Sequence, residues 1–174
     1  PYSASKAGSD LLLMAWHRTY GLPCVLTNCS NNYGPRQNIE KLIPKTIYNA
    51  LNQIKIPIYG DGCNVRDWIF VDDHIDCILK IIEKKPKHFE RYNIGGENQI
   101  SNISLVHKIL DRIKNKTQLA EIEDLIEFVD DRPGHDFRYE IDITKAKNQL
   151  GWKPKTIFNE GLDLTIDWYI NEQL

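Results

Sequence analysis

The sequence lacks the features that mark several common functional classes. Its longest apolar runs, such as residues 11–16, fall far short of the roughly 20 residues that a membrane-spanning helix needs. Neither charge is in excess, because 22 Lys and Arg residues stand against 24 Asp and Glu residues and leave a net charge of −2. A face that binds nucleic acid needs a surplus of cations. We therefore expect neither a membrane nor a nucleic-acid partner.

Phosphate-binding loops and metal-ligand clusters are also missing. No GxGxxG or GxxxxGK[ST] segment is present, so the sequence has no glycine loop of its own to cradle a phosphate. The four cysteines form no CxxC pair and no Cys/His cluster with zinc spacing: Cys24, Cys29, Cys63 and Cys77. We interpret them as free thiols of a cytosolic protein and expect no metal site.

The first residues are Pro-Tyr-Ser, without Met and without a charged-then-apolar leader. This start predicts no signal peptide and favours a sequence that begins inside a longer protein. The 174 residues are enough for an ordinary core, and 41% apolar with 26% charged residues is the composition of a globular chain.

Helix and strand patterns alternate along the chain. Periodicity and turn residues predict helices at about 3–20, 40–53, 73–84, 101–114, 142–151 and 159–169, and strands at 24–29, 56–59, 65–71, 91–94 and 125–129. Ser3, Asp72 or Asp73, and Asp142 are candidate N-caps. Such alternation is typical of an α/β protein with parallel strands.

One residue pair at the start of the first predicted helix points to chemistry. Tyr2 and Lys6 are four residues apart, so their side chains lie on the same helix face. An ammonium beside a phenol stabilises the phenolate, which can accept a proton from a sugar hydroxyl while hydride leaves the same carbon. A surface pair without function is the alternative, because the YxxxK pattern by itself is common.

Four segments in order resemble the landmarks of the extended short-chain dehydrogenase/reductase family: YSASKA at 2–7, NNYGPR at 31–36, RDWIFVDDH at 66–74 and YNIGG at 92–96. Within that family, TNCSNNYGP at 27–35 and DRPGHD at 131–136 are similar to the dTDP-glucose 4,6-dehydratases. The resemblance covers essentially all 174 residues but only about the C-terminal half of such an enzyme.

The resemblance implies an α/β fold: the C-terminal part of a doubly wound parallel, Rossmann-type sheet, with a smaller mixed α/β substrate-binding lobe. Residues 1–34 and 65–96 would belong to an NAD-binding domain without its N-terminal half, and residues 35–64 and 97–174 to the nucleotide-sugar lobe. It also implies a cytoplasmic homodimer, paired partly through the helix that begins at the YxxxK motif. The biological setting would be nucleotide-sugar metabolism, such as dTDP-rhamnose and polysaccharide biosynthesis.

The implied activity is that of an NAD-dependent lyase. dTDP-glucose would be oxidised at C4, lose water across C5 and C6, and be reduced at C6 to give dTDP-4-keto-6-deoxy-glucose. In the family, an Asp acid and a Glu base that precede the YxxxK helix carry the elimination, so we expect residues 1–174 alone to be inactive. The alternatives are another nucleotide-sugar epimerase, dehydratase or decarboxylase of the family, or a non-catalytic nucleotide-sugar-binding relative.

The resemblance also implies residue roles. Tyr2 would be the catalytic base and Lys6 its partner, and both would contact NAD, as would Asn32. The nucleotide sugar would contact a larger set: Asn31, Lys41, Leu42, Pro57, Ile58, Tyr59, Arg66, Asn102, Asp131, Arg132, Pro133, Gly134 and His135.

Two parts of that set have distinct chemistry. Arg66 and Arg132 would pair with the diphosphate, whose oxygens match the fork of a guanidinium. Residues 57–59 would line the thymine end, where an aromatic ring can stack on the base. Ordinary ion pairs with neighbouring aspartates are the alternative for both arginines, through Asp67 or Asp72 and through Asp130 or Asp131.

Overall fold

A computed structural model describes residues 1–117 and 119–172 and shows an α/β architecture. The helices are α1 (Tyr2–Tyr20), α2 (Leu42–Leu51), α3 (Val71–Lys84), α4 (Asn102–Thr117), α5 (Thr144–Leu150) and α6 (Phe158–Asn171). The strands are β1 (Val25–Cys29), β2 (Asn31–Tyr33), β3 (Ile56–Tyr59), β4 (Val65–Phe70), β5 (Glu90–Ile94), β6 (Gln99–Ser101), β7 (Ile126–Val129) and β8 (Arg138–Tyr139). A 3₁₀ helix, Ile122–Leu125, leads into β7.

Most strand pairs are parallel, as the alternation of elements predicts. β1 pairs with β5, β3 with β7, and β4 with both β2 and β8, all in parallel, while β6 is antiparallel to β4. β4 is the centre of the four-stranded sheet: its first residues pair with β6 and β8, and its last residues with β2. The strands that carry Asn31, Asn32, Arg66 and Trp68 therefore meet in this sheet.

Two hydrophobic clusters stabilise the fold. The larger one joins β3, β4, α2, α4 and α6, and Ile43, Leu105, Ile109 and Leu162 are fully buried in it. The smaller one lies between α3, β5 and α5 and includes Cys77, Tyr92 and Trp152. Since α5 and Trp152 pack with α3 and β5, the end of the chain contributes to both clusters.

Helix α1 has apolar residues around its surface but buries none of them. Leu11, Leu12, Trp16 and Tyr20 are all more than half exposed. The apolar residues spread around α1 therefore form an exposed surface and are not part of the core of the described chain. No helix in the described ranges is both long and apolar enough to cross a membrane.

The predicted helix ends are mostly close, but the predicted N-caps are wrong in detail. Pro1 precedes α1 as its N-cap residue, and Ser3 lies inside the first turn. Phe70 holds the equivalent position before α3, so Asp72 and Asp73 are first-turn residues. Asp142 lies one residue before the N-cap Ile143, although its carboxylate does accept the Thr144 N–H at 2.8 Å.

Asp73 ties the start of α3 to the segment before α6. Its buried carboxylate accepts the backbone N–H groups of Lys155 at 3.0 Å and Thr156 at 2.9 Å. Its backbone oxygen accepts the indole N–H of Trp152 at 3.2 Å. One aspartate therefore links the first turn of α3 to residues 152–156.

We expect Asp73→Asn to lower the free energy of unfolding by about 1–3 kcal/mol, because the amide NH₂ faces one of two backbone donors and leaves it unpaired. Asp72→Asn, one residue earlier and exposed, is the matched control and should change stability by less than about 0.5 kcal/mol. Urea unfolding measures both variants. Equal effects of the two substitutions would contradict the assignment.

Candidate active site

Two adjoining clefts gather most of the residues that the sequence singles out. The larger has a volume of about 970 Å³ and is lined by the start of α1, residues 29–32, the start of α2 and the loop that precedes β8. The smaller, about 300 Å³, lies among α2, β3, β4 and the same loop. They share Asn31, Lys41, Leu42, Trp68 and Arg132, so they form one continuous surface.

The structure brings thirteen of the predicted site residues to these clefts. The larger cleft is lined by Tyr2, Asn31, Asn32, Lys41, Leu42, Arg132, Pro133 and Gly134. The smaller cleft adds Pro57, Tyr59, Arg66, Asn102 and His135. Lys6, Ile58 and Asp131 are not in either lining, and each has a different place in the structure.

Tyr2 and Lys6 lie together at the edge of the larger cleft. The Lys6 ammonium nitrogen is 5.6 Å from the centre of the Tyr2 ring, within cation–π distance. The helical spacing of four residues brings the two groups together, as the sequence predicts. Tyr2 is 73% exposed, so its phenol is open to a ligand.

Ile58 points away from the clefts. Its side chain is 2% exposed and belongs to the larger hydrophobic cluster, whereas Pro57 and Tyr59 line the smaller cleft. Side chains alternate along a strand, so β3 cannot present three consecutive residues to one face. Only the backbone of Ile58 is left for its predicted ligand contact.

Cations surround the smaller cleft. Lys41, Lys45, Arg66 and Arg132 line it, together with the carboxylate of Glu40. Arg66 donates to the backbone oxygens of Val65 and Asp136, each at 2.7 Å, rather than to a carboxylate. Burial lowers the pKa of its guanidinium, and the nearby Arg132 adds to that effect. Two guanidinium groups this close favour an anion between them.

Asp131 shapes the loop that precedes β8. One carboxylate oxygen accepts the Arg132 backbone N–H at 2.8 Å and lies 2.7 Å from His135 Nδ1. The aspartate therefore pairs with the histidine and the main chain of its own loop. Arg132 lines both clefts.

Gln37, Trp68 and Tyr139 are among the residues at the clefts that the sequence does not predict as site residues. Gln37 and Trp68 line the larger cleft, and Tyr139 donates its hydroxyl to the Cys29 carbonyl at 3.2 Å beside it. Burial raises the pKa of the Tyr139 phenol, and the charges of Asp136 and Tyr2 raise it further. Tyr139 lies three residues after the DRPGHD segment, and that proximity in sequence is the signal that points to it.

Buried polar atoms without partners concentrate at the same clefts. Ser30 Oγ, Gln37 Oε1, Trp68 Nε1 and Asn102 Oδ1 have no hydrogen-bond partner within residues 1–117 and 119–172, and all four residues are cleft-lining. Buried polar groups are nearly always paired in folded proteins. Their clustering is therefore typical of a surface that is completed by a bound ligand.

The sequence matches a family model described as GDP-mannose 4,6 dehydratase over residues 1–165. The chain belongs to the GDP-mannose 4,6 dehydratase family. The match runs from the Tyr2–Lys6 pair through the clefts and into α6.

Several proteins with similar sequences are dTDP-glucose 4,6-dehydratases. A probable dTDP-glucose 4,6-dehydratase of Sinorhizobium fredii is 50% identical over 173 residues, which are 98% of this chain and 49% of the relative. The dTDP-glucose 4,6-dehydratase of Neisseria meningitidis serogroup B is 48% identical over 178 residues, covering 99% of this chain and 50% of the relative. The chain thus spans about half the length of the curated relatives it matches.

A solved structure gives the same picture for the fold. DesIV, a dTDP-glucose 4,6-dehydratase from Streptomyces venezuelae solved with NAD bound, has a TM-score of 0.91 and 42% identity. The match covers 99% of this chain and 52% of DesIV. The α/β fold with parallel strands expected from the sequence is confirmed, and it corresponds to the Rossmann-type fold of this dehydratase family.

Proposed function

We propose that the protein containing this chain is an NAD-dependent lyase that converts dTDP-glucose to dTDP-4-keto-6-deoxy-glucose. The observation that carries the proposal is the continuous surface of the two clefts. It has Tyr2 at one end, with the Lys6 ammonium beside the Tyr2 ring just outside the lining, and two arginines with two lysines at the other end. The charge distribution of a nucleotide sugar matches this surface, because the sugar carries neutral hydroxyls and the diphosphate next to the nucleoside carries the negative charge.

The residues at the Tyr2 end fit the nicotinamide end of NAD. A phenol, an ammonium and the amide of Asn32 supply donors and acceptors for ribose hydroxyls and a carboxamide. When bound, NAD would take hydride from sugar C4 and return it to C6. Tyr2 would take the proton of the sugar 4-hydroxyl, and the Lys6 ammonium would stabilise the phenolate before and during that transfer.

The start of α2 supports diphosphate binding between the arginines. Lys41 is the N-cap residue of this ten-residue helix, and neither an acidic first-turn residue nor a capping side chain neutralises that end. The first N–H groups of a helix lack intrahelical acceptors and favour an anion. Pro44 fits in the first turn for the same reason, since it has no N–H to leave unpaired.

We expect Arg132→Met to weaken dTDP binding more than about tenfold, because a charge-assisted hydrogen bond contributes about 1.5–3 kcal/mol. Arg132→Lys should fall between the wild type and Met, since it keeps the charge but loses the two-pronged geometry. Isothermal titration with dTDP measures the three affinities.

Lys108→Met is the control for this prediction. Lys108 is an exposed cation on α4 that lines neither cleft, so its loss tests non-specific charge effects. If the Lys108 variant weakens dTDP binding as much as the Arg132 variant, the arginine is not a diphosphate ligand.

The function itself is tested with the full gene product that contains these residues. Incubation with dTDP-glucose and catalytic NAD should give a 4-keto-6-deoxy product without net formation of NADH. Parallel incubations with GDP-mannose and UDP-glucose test the nucleotide preference, and faster conversion of either would overturn the choice of dTDP-glucose. Binding of dTDP-glucose without any conversion would instead favour a non-catalytic relative.

Assembly, location and domain boundaries complete the proposal. The exposed apolar residues of α1 support a homodimer paired through that helix. The four cysteines, all free thiols, support a cytoplasmic location.

We assign residues 1–34 and 65–96 to the NAD-binding domain and residues 35–64 and 97–174 to the substrate lobe, with α5 packed on the NAD-binding side.

A further inference from the structure

His74, a residue without a role in the proposed reaction so far, contacts Asn32 at the larger cleft. His74 lies in the first turn of α3, and Asn32 is in the middle of β2. The Nδ1 atom of His74 is 2.8 Å from Oδ1 of Asn32, and both side chains are partly buried. The first turn of α3 directly follows β4, whose Ile69 is the register partner of Asn32.

The other contacts of Asn32 fix the orientation of its amide. The amide nitrogen donates to the Ser30 carbonyl at 3.2 Å and to the Cys29 sulfur at 3.3 Å. A carbonyl can only accept, so the nitrogen must face Ser30 and the oxygen must face His74. His74 therefore carries its proton on Nδ1 and donates it to Asn32.

The main chain of Asn32 is held separately. Its backbone oxygen accepts the Gln37 side-chain amide at 2.8 Å, and the Gln37 backbone oxygen accepts the Tyr169 hydroxyl from α6. These bonds position the backbone and do not hold the side-chain amide. The amide is held by the Ser30 carbonyl on its nitrogen side and by His74 on its oxygen side, and both contacts are lost if the amide rotates by half a turn. Within the part of the chain that the structure describes, His74 is the side chain that bonds to the amide oxygen and opposes this rotation.

We propose that His74 is a positioning residue for NAD binding: its Nδ1–H holds the Asn32 amide in the orientation that presents the amide nitrogen to the nicotinamide end of NAD. The inference rests on the proposed function, in which Asn32 contacts NAD. The sulfur of Cys29 is a weak acceptor, so a stronger ligand acceptor can replace it as the partner of the amide hydrogen directed at it, at little cost. Burial lowers the pKa of His74, which favours the neutral ring that this donation requires.

Three substitutions at position 74 separate positioning from general packing. His74→Asn places an amide nitrogen near the former Nδ1, whereas His74→Gln places it near the former Nε2. We expect His74→Ala and His74→Gln to weaken NAD binding by about three- to tenfold, the effect of one hydrogen bond. His74→Asn should stay within about twofold of the wild type. Titration of the full gene product with NAD, followed by tryptophan fluorescence, measures the dissociation constants.

Kinetics and a double mutant provide the second readout. The Michaelis constant for NAD should rise in His74→Ala, while the turnover number at saturating NAD falls less. In an Asn32→Ala background, His74→Ala should have no further effect on NAD affinity, since the histidine acts through the asparagine. His107→Ala, at an exposed position of α4, is the matched control and should bind NAD as the wild type does.

The outcomes distinguish the two proposals. If the wild type binds NAD and converts dTDP-glucose but His74→Ala binds NAD equally well, the inference about His74 is wrong and the proposed function stands. Equal rescue by Gln and Asn, or independent losses from Asn32→Ala and His74→Ala, would also overturn it. If the wild type neither binds NAD nor converts dTDP-glucose, the proposed function and the inference fail together. Should His74→Ala unfold, the comparison of Asn with Gln still decides.

Discussion

Tyr2→Phe is expected to abolish most of the dehydratase activity while leaving the protein folded. The substitution removes only the phenolic oxygen, which is the proposed acceptor of the 4-hydroxyl proton. General base catalysis contributes about 10²- to 10⁴-fold to such a step, so the turnover number should fall by at least about 100-fold. Formation of the 4-keto product from dTDP-glucose is the measurement.

The structure predicts that this loss is not caused by unfolding. Tyr2 is 73% exposed, and its backbone oxygen, which the substitution leaves in place, accepts the Ser5 hydroxyl at 2.7 Å. Thermal unfolding of Tyr2→Phe should therefore match the wild type. Binding of dTDP should also be unchanged, because the cations of the smaller cleft are intact.

Tyr20→Phe is the matched control, since Tyr20 lies on the same helix and is 74% exposed. It removes the same atom from the other end of α1, and its edge-on contact with Trp16 needs only the ring. Lys6→Met should also reduce turnover, and adding it to Tyr2→Phe should cost little more, because the two residues act as a unit. A Tyr2→Phe variant that retains more than a tenth of wild-type turnover would refute the assignment of the base.

Local patterns were sufficient for the long elements of the fold. The apolar spacing predicts helix α4 at 101–114, and the helix spans Asn102–Thr117. Four of the five apolar residues that define the spacing are also among the five that the helix buries: Val106, Ile109, Leu110 and Ile113. β3 was predicted without error at Ile56–Tyr59. In both, the residues that define the period also make the core contacts.

The short strands could not be predicted in the same way. β2, β6 and β8 have only two or three residues each, and all three pair with β4. Strands this short carry no readable alternation, and their pairing with β4 spans long stretches of chain. The sequence predicts a turn at residues 30–38, because Gly34 and Pro35 are local turn signals. The strand that pairs with β2 lies more than 30 residues away, so no local pattern indicates the pairing.

The candidate site also has parts that the sequence predicts and parts that depend on the folded structure. Family resemblance placed Tyr2, Lys41, Arg66 and Arg132 on one surface, which no local pattern could do. It also assigns residues 57–59 to the thymine end, although strand alternation in β3 directs the Ile58 side chain into the core. The contact of His74 with Asn32 joins residues 42 positions apart, so only the structure reveals it.

Gly96→Ala is expected to have the largest effect on stability. A Cβ at this position would overlap the carbonyl oxygen of Trp68 and lie 2.6 Å from its carbonyl carbon and 2.9 Å from the Ile69 Cα. All three atoms are backbone atoms of β4, so no side chain can rotate away to make room. The sequence predicts a strand at 91–94 and gives no local signal for what surrounds Gly96, whereas the structure shows a close approach of two backbones.

Hydrogen bonds hold residues 96–98 against β4, so a small shift of the backbone cannot relieve the overlap. The fully buried carboxylate of Asp67 accepts the Gly96 N–H at 3.0 Å and the Asn98 N–H at 2.7 Å. The Asn98 amide in turn donates to the Gly96 carbonyl at 2.7 Å. Moving residue 96 outward would therefore break bonds to a buried charge, so we expect a loss of about 3 kcal/mol or more.

Circular dichroism of the full gene product should show an unfolding midpoint lowered by at least about 6 °C for Gly96→Ala, as that free energy implies for a domain of about 150–250 residues. Gly8→Ala is the matched control, because nothing lies within 4 Å of a Cβ there and helix α1 favours alanine. Gly95→Ala tests the mechanism between these limits, since its Cβ would meet the side chain of Ile141, which can shift, and the carboxylate of Asp67, which its hydrogen bonds hold in place. Because Trp68 lines both clefts, Gly96→Ala should also weaken dTDP binding at temperatures where it remains folded. An unchanged midpoint would show that β4 and residues 95–98 separate more easily than their hydrogen bonds indicate.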